Sequence, residues 1–401
     1  MRSALQHALT FCVTRAITPD LEISRFLCAI EDGGAMIRPY LFSTLVGYPG
    51  FSIVMNLLTR ETLLASLGLA DADWRETAHR RLSDPQPRVV RGPSLASRAV
   101  SGLDSLPIMR HQPGDAGRYV TSAIIALADP DSGAINLGCY RIQVKDDRHC
   151  AVFMDPRTDG FTLYDRQIRR GVSAIPVTIF LGGPLGTPLI AAAALPAGGD
   201  DYAQLSALSA REVRIDDGGD GRFPAAPCEA EIVIHGLLTP TLVEEGPFGE
   251  FKGYYAGPTQ SPLLKVVAIG CRPDPIFPGL QCGRHSGLTL MALQNELLLY
   301  HHLRRRGFSI DSVDYPLEAF GEYLCLIRSD EDGALLTQAA MDLDRRAKLV
   351  FVSRQTDVPL RRIAVQPIET RVETYIRHGA PEGQRIAIHA TPINEDRRVD
   401  Y

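Results

Sequence analysis

YVTSAIIALADPDSGAINLGCYRIQV, residues 119–144, is the stretch whose reading decides the fold. Two runs rich in β-branched and aromatic residues flank the turn signal DPDSGA, as in a pair of adjacent strands. The same texture continues through CAVFM (150–154), IPVTIFLG (175–182), REVRI (211–215), AEIVIHGLL (230–238) and LLKVVAIG (263–270), with turns such as KDDR and RTDG between them. About seven short strands at this spacing predict a barrel or sandwich. Within the quoted stretch, an alternating strand over NLGCYRIQV (136–144) sends Cys139, Arg141 and Gln143 to one side and Gly138, Tyr140 and Ile142 to the other. A buried arginine is costly unless it is paired, so Arg141 either bridges a carboxylate or meets an anionic ligand.

Working outward, residues 21–105 read as mixed α/β structure: LEISRFLCAIED has helical spacing, FSIVMNLL is a strand and RETLLASLGL a short helix. From Asp71 to Leu106 the pattern fades into charged, proline-containing sequence and suggests a boundary. On the other side, SGLTLMALQNELLLYHHLRRR (286–306) reads as one helix, with Ser286 as N-cap, cations in its last turn and Gly307 beyond. SVDYPLEAF, the strand EYLCLIR, the helix ALLTQAAMDLDRRA and the strand KLVFVS then form a small α/β unit. The expected division is an N-terminal α/β region (1–105), a strand-rich domain (106–285), a linker helix (286–307) and a C-terminal α/β domain (308–401).

Composition narrows the function. The chain has 401 residues, 45% of them apolar, and a formal net charge of −5. No basic field attracts nucleic acid. Cys12, Cys28, Cys139, Cys150, Cys228, Cys271, Cys282 and Cys325 form no C-x-x-C pair, which fits reduced thiols and a cytoplasmic location. The apolar patch ALTFCV is bracketed by Arg2, His7 and Arg15 and has no cleavage site, so no export is expected. The charge-free run from Gly171 to Gly199 is broken by four prolines and six glycines. That excludes a membrane helix and leaves a buried strand, a Gly/Pro loop and a short Ala-rich helix.

EEGPFGEFKGYYAG (244–257) carries the densest chemistry. Its glycines and Pro247 permit a tight bend that fixes Glu245 and Glu250 beside their neighbours. Carboxylates gathered with an asparagine suit a hard cation such as Mg²⁺ or Mn²⁺, and a solvated acidic turn is the plainer alternative.

Four ordered blocks bring these features together: residues 111–144, 175–198 (IPVTIFLGGPLGTPLIAAAALPAG), 232–255 (IVIHGLLTPTLVEEGPFGEFKGYY) and 383–392 (GQRIAIHATP). With them the chain resembles the UbiD family of prenylated-FMN-dependent reversible decarboxylases. The resemblance implies an N-terminal α/β region, a central split β-barrel that binds the flavin, a linker helix and a C-terminal α/β domain. It implies a non-oxidative decarboxylase acting on an aromatic, heteroaromatic or α,β-unsaturated acid. Asn136 and Glu245 match the family's metal ligands, for Mn or Mg with K as a further ion. Arg141 matches the arginine beside the flavin that meets the substrate carboxylate. Gly138, Cys139, Tyr140, Arg141 and Glu245 fall on the cofactor-binding segments, and Arg385 stands where a lysine usually lies near the flavin phosphate. A flavin prenyltransferase would supply the cofactor, and a homodimer is the expected assembly.

The resemblance breaks at three places. The stretch before the linker helix, CRPDPIFPGLQCGRHSGLTL (271–290), has Asp274 as its only acid, where relatives carry the acid that protonates the product. His285 is the local side chain that could replace it, or else a pocket or capping residue. FMDPRTDG (153–160) lacks the third ligand, a histidine, and leaves Asp155 or Asp159 as substitutes. The sequence ends at Tyr401, where many relatives continue into a helix used in assembly. The alternatives are altered flavin-dependent chemistry in a biosynthetic pathway, or a non-catalytic flavin-binding subunit.

Overall fold

A computed structural model describes residues 1–8, 10–193 and 199–353, and beyond these the backbone of the strands Ile363–Val365, Val372–Arg377 and Ala380–Pro392. The fold is mixed α/β. It divides into two compact units: residues 1–71 with 84–290, and residues 72–83 with 291–401.

The strand-rich sequence of the first unit makes a curled nine-stranded sheet. Its order is Tyr119–Val120, Arg141–Val144, His149–Phe153, Thr259–Cys271, Ala230–Glu245, Ile175–Gly182, Ile124–Ala128 and Ile135–Cys139, with Arg98–Val100 added on Thr259–Cys271. The barrel expectation is met, with REVRI as an exception. Its strand Val213–Ile215 pairs in parallel with Val89–Arg91, off the large sheet. The segment NLGCYRIQV (136–144) is also not one strand. Ile135–Cys139 pairs with Ile124–Ala128, whereas Arg141–Val144 pairs with His149–Phe153 and Tyr119–Val120, so the chain changes partners at Tyr140. Simple alternation fails there because both sides are covered: Leu137, Gly138, Tyr140, Ile142, Gln143 and Val144 are all buried.

The charge-free run reads as expected, with the strand Ile175–Gly182 and the helix Thr187–Ala192. Among the described residues no helix is long and apolar enough to cross a membrane.

The N-terminal helices Glu22–Asp32 and Arg60–Ser66 and the strand Ser52–Met55 form where their periodicity places them. Their four-stranded sheet, Phe11–Val13, Tyr40–Phe42, Ser52–Met55 and Ile276–Pro278, is completed by a strand from far along the chain. One apolar core runs through both sheets, from Ile17, Phe42 and Met55 to Ile125, Val177 and Phe277. A boundary near residue 105 therefore meets no gap in the packing, and residues 84–105 stay in the first unit. The segment after Asp71 holds a helix, Trp74–Ser83, that the polar sequence WRETAHRRLS concealed.

The long helix spans His285–Arg305. It starts one residue earlier than read, so Ser286 lies in its first turn and is not its N-cap. The second unit builds its sheet in the order Ser312–Asp314, Leu324–Arg328, Leu349–Ser353, Ala380–Pro392, Ile363–Val365, with Val372–Arg377 also on Ala380–Pro392. The helix Gly333–Leu343 packs Leu336, Ala340 and Met341 into a core with Val313, Cys325 and Val350.

Candidate active site

The sixteen-residue strand Ala230–Glu245 delivers Glu245 to its end, fully buried. There Gly246 takes φ +94°, a left-handed conformation that favours glycine, and the chain turns through a cis Gly246–Pro247 bond into the short pair Phe248–Gly249 and Tyr255–Ala256. The turn is held by main-chain groups. Gly246 N–H donates to Gln143 Oε1 (3.2 Å), Ala116 N–H to the Pro247 carbonyl (2.8 Å) and Gly249 N–H to Asp115 Oδ1 (2.9 Å). Asp115 also accepts from Gln112 N–H at 2.7 Å, and its burial raises its carboxyl above the ordinary range.

Arg141 fills the space this turn encloses. Its Nε and one terminal nitrogen donate to the two oxygens of Glu245 at 2.9 and 2.7 Å, and its other terminal nitrogen donates to Glu250 Oε1 at 2.9 Å. The cross-strand partner of Arg141 is Phe153, whose ring lies 4.1 Å beneath the guanidinium, and Phe248 lies 5.4 Å away. The side chain of Arg141 is 10% exposed, that of Glu250 14% and that of Glu245 0%. The rings of Tyr119 and Phe248 pack tilted, with centroids 4.5 Å apart, and burial together with Glu245 pushes the Tyr119 hydroxyl above the ordinary range. Three guanidinium N–H groups serve carboxylates; two of its fork remain for a ligand.

Asn136 belongs to a second cluster. Its Nδ2 donates to Asp201 Oδ2 at 3.3 Å, and the same oxygen accepts Leu137 N–H at 2.7 Å. Burial pushes Asp201 up to about 7, with Asp200 and Asp159 adding to it. The helix Asp159–Arg169 packs its first turn on this cluster. A Cβ on Gly160 would stand 2.0 Å from the Tyr140 hydroxyl and 3.1 Å from Asn136 Oδ1. Tyr140 is pushed to about 12, chiefly by burial.

The sequence-derived residues are thus divided. Arg141 and Glu245 are joined directly, and Asn136 has its recorded contact with Asp201. Glu245 gives both oxygens to Arg141, and among the described residues no group of three or more His, Cys, Asp or Glu side chains could hold a metal ion. In this structure Glu245 faces Arg141, and Asn136 faces Asp201. Asp155 accepts from Arg157 at 2.9 and 2.6 Å, whereas Asp159 lies near Asn136. Cys139 is exposed between buried Gly138 and Tyr140. Arg385 sits on the strand Ala380–Pro392 opposite Glu373, and its side chain lies outside the described residues.

Before the long helix, Asp274 is 78% exposed and bonded to Arg2 at 3.0 Å. Exposure and pairing remove it as a proton donor. His285 donates its backbone N–H to Glu31 Oε2 at 3.4 Å, and Asn56 holds the other oxygen of Glu31 at 3.1 Å. Sequence reading missed Asp115, Tyr119, Phe153 and Asp201. Phe153 was findable as the residue opposite Arg141 in a hairpin; nothing in the sequence links Asp201 to Asn136 across 64 residues.

The curled sheet with a clamped arginine at its edge defines a split-barrel α/β protein. Its residues 89–285 match the UbiD family description, 3-octaprenyl-4-hydroxybenzoate carboxy-lyase Rift-related domain. An uncharacterized protein of Aquifex aeolicus is 36% identical over 212 residues, 51% of this chain and 43% of that protein. A phenolic acid decarboxylase of Bacillus subtilis is 28% identical over 288 residues, 68% of this chain and 60% of that enzyme. The matches thus span less than two thirds of these relatives' own length. In fold, the chain is similar to the UbiD-class enzyme HmfF from Pelotomaculum thermopropionicum in complex with prFMN, with a TM-score of 0.87 at 23% identity, covering 100% of this chain and 96% of that one. Vanillic acid decarboxylase of Sedimentibacter hydroxybenzoicus gives 0.83 at 20% identity, covering 100% and 93%.

Proposed function

We propose that this protein is a carboxy-lyase that releases carbon dioxide from an aromatic or α,β-unsaturated carboxylic acid, with prenylated FMN as cofactor. The observation that carries the reading is Arg141: a guanidinium oriented by two carboxylates and two aromatic rings, with N–H groups to spare for a substrate carboxylate. The phenolic acid decarboxylase of Bacillus subtilis supports an aromatic acid as substrate class.

A flavin fits one feature of the strand that precedes Arg141. Cys139 is exposed between two buried neighbours, which marks open space against that strand. The bound cofactor would supply the electron sink for the breaking carbon–carbon bond. The protein's own residues would do the rest. Arg141 fixes the carboxylate, Phe153 and Phe248 keep water from the guanidinium, and Glu245 with Asp115 holds the turn in register. A divalent ion at Asn136 and Glu245 would share the Glu245 carboxylate with Arg141, and metal ligation forms no step of this reading.

The test is anaerobic purification after co-expression with a flavin prenyltransferase, followed by cofactor mass, absorption spectrum and turnover of phenolic acids in D₂O. Bound prenylated flavin, carbon dioxide release and deuterium at the vacated carbon are expected. A protein that stays colourless under conditions that load a known relative overturns the reading.

A further inference from the structure

The stretch before the long helix offers no free acid, since Asp274 is exposed and engaged by Arg2. We infer that Glu250, the second carboxylate on Arg141, is the proton donor to the product carbon. The inference rests on the decarboxylase reading above.

The argument is a count of charges. Arg141 carries one positive charge and already faces Glu245 and Glu250. A substrate carboxylate on its remaining N–H groups would put three anions on one cation, in a place where the guanidinium is 10% exposed. Low local dielectric makes that excess charge costly, and a proton taken up by one carboxylate relieves it. The two glutamates are not equivalent. Glu245 is fully buried and chelated through both oxygens, whereas Glu250 accepts one recorded bond through Oε1 and is 14% exposed. Glu250 therefore takes the proton, and its exposed edge lets solvent restore it after each turnover.

The other groups around it leave this choice intact. Tyr119 stands by Glu245 from the neighbouring strand, and Asp115 is bound to two main-chain N–H groups. Cys282 approaches Glu250 and Arg141 from the loop before the long helix, and burial pushes its thiol up to about 12, so it stays neutral. Lys252 reaches over the Phe251 ring at 5.3 Å. The backbone of Glu250 is fixed by its N–H to the Tyr254 carbonyl (2.9 Å) and by Gly253 N–H to its own carbonyl (3.1 Å).

The step balances. The bond between the substrate carbon and its carboxylate breaks, and carbon dioxide leaves. The Oε–H bond of Glu250 breaks, and the electron pair of the lost carbon–carbon bond ends in the new C–H bond. Glu250 is left as the carboxylate that Arg141 already pairs in the resting protein.

The experiment uses flavin-loaded protein and three probes: benzoate, 4-hydroxybenzoate and cinnamate. Calorimetric titration at mildly alkaline pH, in buffers of different ionisation enthalpy, counts protons bound with the tightest of the three. The wild type is expected to take up about one proton. Glu250→Gln should take up none, bind the same acid more tightly than the wild type at this pH, and lose turnover by about 100-fold or more; Glu250→Asp should recover part of it. Unchanged proton uptake in Glu250→Gln, or turnover within twofold of wild type, overturns the assignment. Carbon dioxide release by the wild type reports separately. Release with unchanged uptake in Glu250→Gln sinks the Glu250 assignment alone, and proton uptake without any release sinks the decarboxylase reading and the donor role with it.

Discussion

The strand Ala230–Glu245 buries a glutamate near each end, and each is chelated by an arginine, yet the two ends are built for different purposes. At the start, Arg2 grips Glu231 at 2.7 and 2.8 Å and Asp274 at 3.0 Å. At the finish, Arg141 grips Glu245 and Glu250 with nearly the same lengths. The first cluster is tied into the backbone: Arg2 also donates to the Asp274 carbonyl at 2.6 Å, and Glu231 accepts Ile276 N–H at 3.1 Å. Its second carboxylate is 78% exposed and needs no counter-charge. Among the described residues Arg141 donates to carboxylates and to no carbonyl, and both of its carboxylates are shielded. One arrangement closes a seam between distant segments, and the other leaves two N–H donors of its arginine outside the recorded carboxylate bonds.

Substitutions should separate the two ends by size of effect. Arg141→Ala leaves Glu245 buried without a counter-charge, so urea unfolding should show a loss of about 3–5 kcal/mol, with turnover abolished; a loss below that of Arg2→Ala would break the comparison. A buried group with no counter-charge sharpens it. His111 is 4% exposed, and burial lowers its pKa from 6.5 to about 4. The unfolded chain therefore binds this proton first, and stability should fall as the pH drops from about 6.5 toward 4, by roughly 3 kcal/mol in full. His111→Gln should flatten that part of the stability–pH curve. Next comes Arg2→Ala, expected to cost about 2 kcal/mol because Glu231 retains the Ile276 N–H. Asp274→Asn should change stability by less than about 1 kcal/mol and leave turnover untouched, as for other exposed pairs.

Much of this was legible in the residues. Gly246, Pro247 and Gly249 announce the bend, and Arg141 in a strand-rich setting demands a partner, so the acidic turn and the arginine were found before their contact. The strand break at Tyr140 was not, because covering on both sides erases alternation. The contacts of Asn136 with Asp201 and of Glu245 with Arg141 were not legible either, since they join residues 65 and 104 positions apart. The cradle of Glu31 and Asn56 under His285 was also out of sight. It joins residues more than 200 positions apart, and local pattern carries nothing about such distances.

The N-terminal sheet has a consequence for how the protein is made. Ser52–Met55 pairs in parallel with Ile276–Pro278, so a growing chain displays the sheet's open edge until more than 220 further residues have been synthesised. At a synthesis rate of about 5–20 residues per second, that edge waits on the order of ten seconds or longer. During that time Ile53, Val54 and Met55, fully buried in the finished fold, lack the strand that closes their sheet. The ribosome-bound intermediate is therefore a natural client for chaperones, and stalled chains ending before Ile276 should be the form most prone to edge-to-edge association.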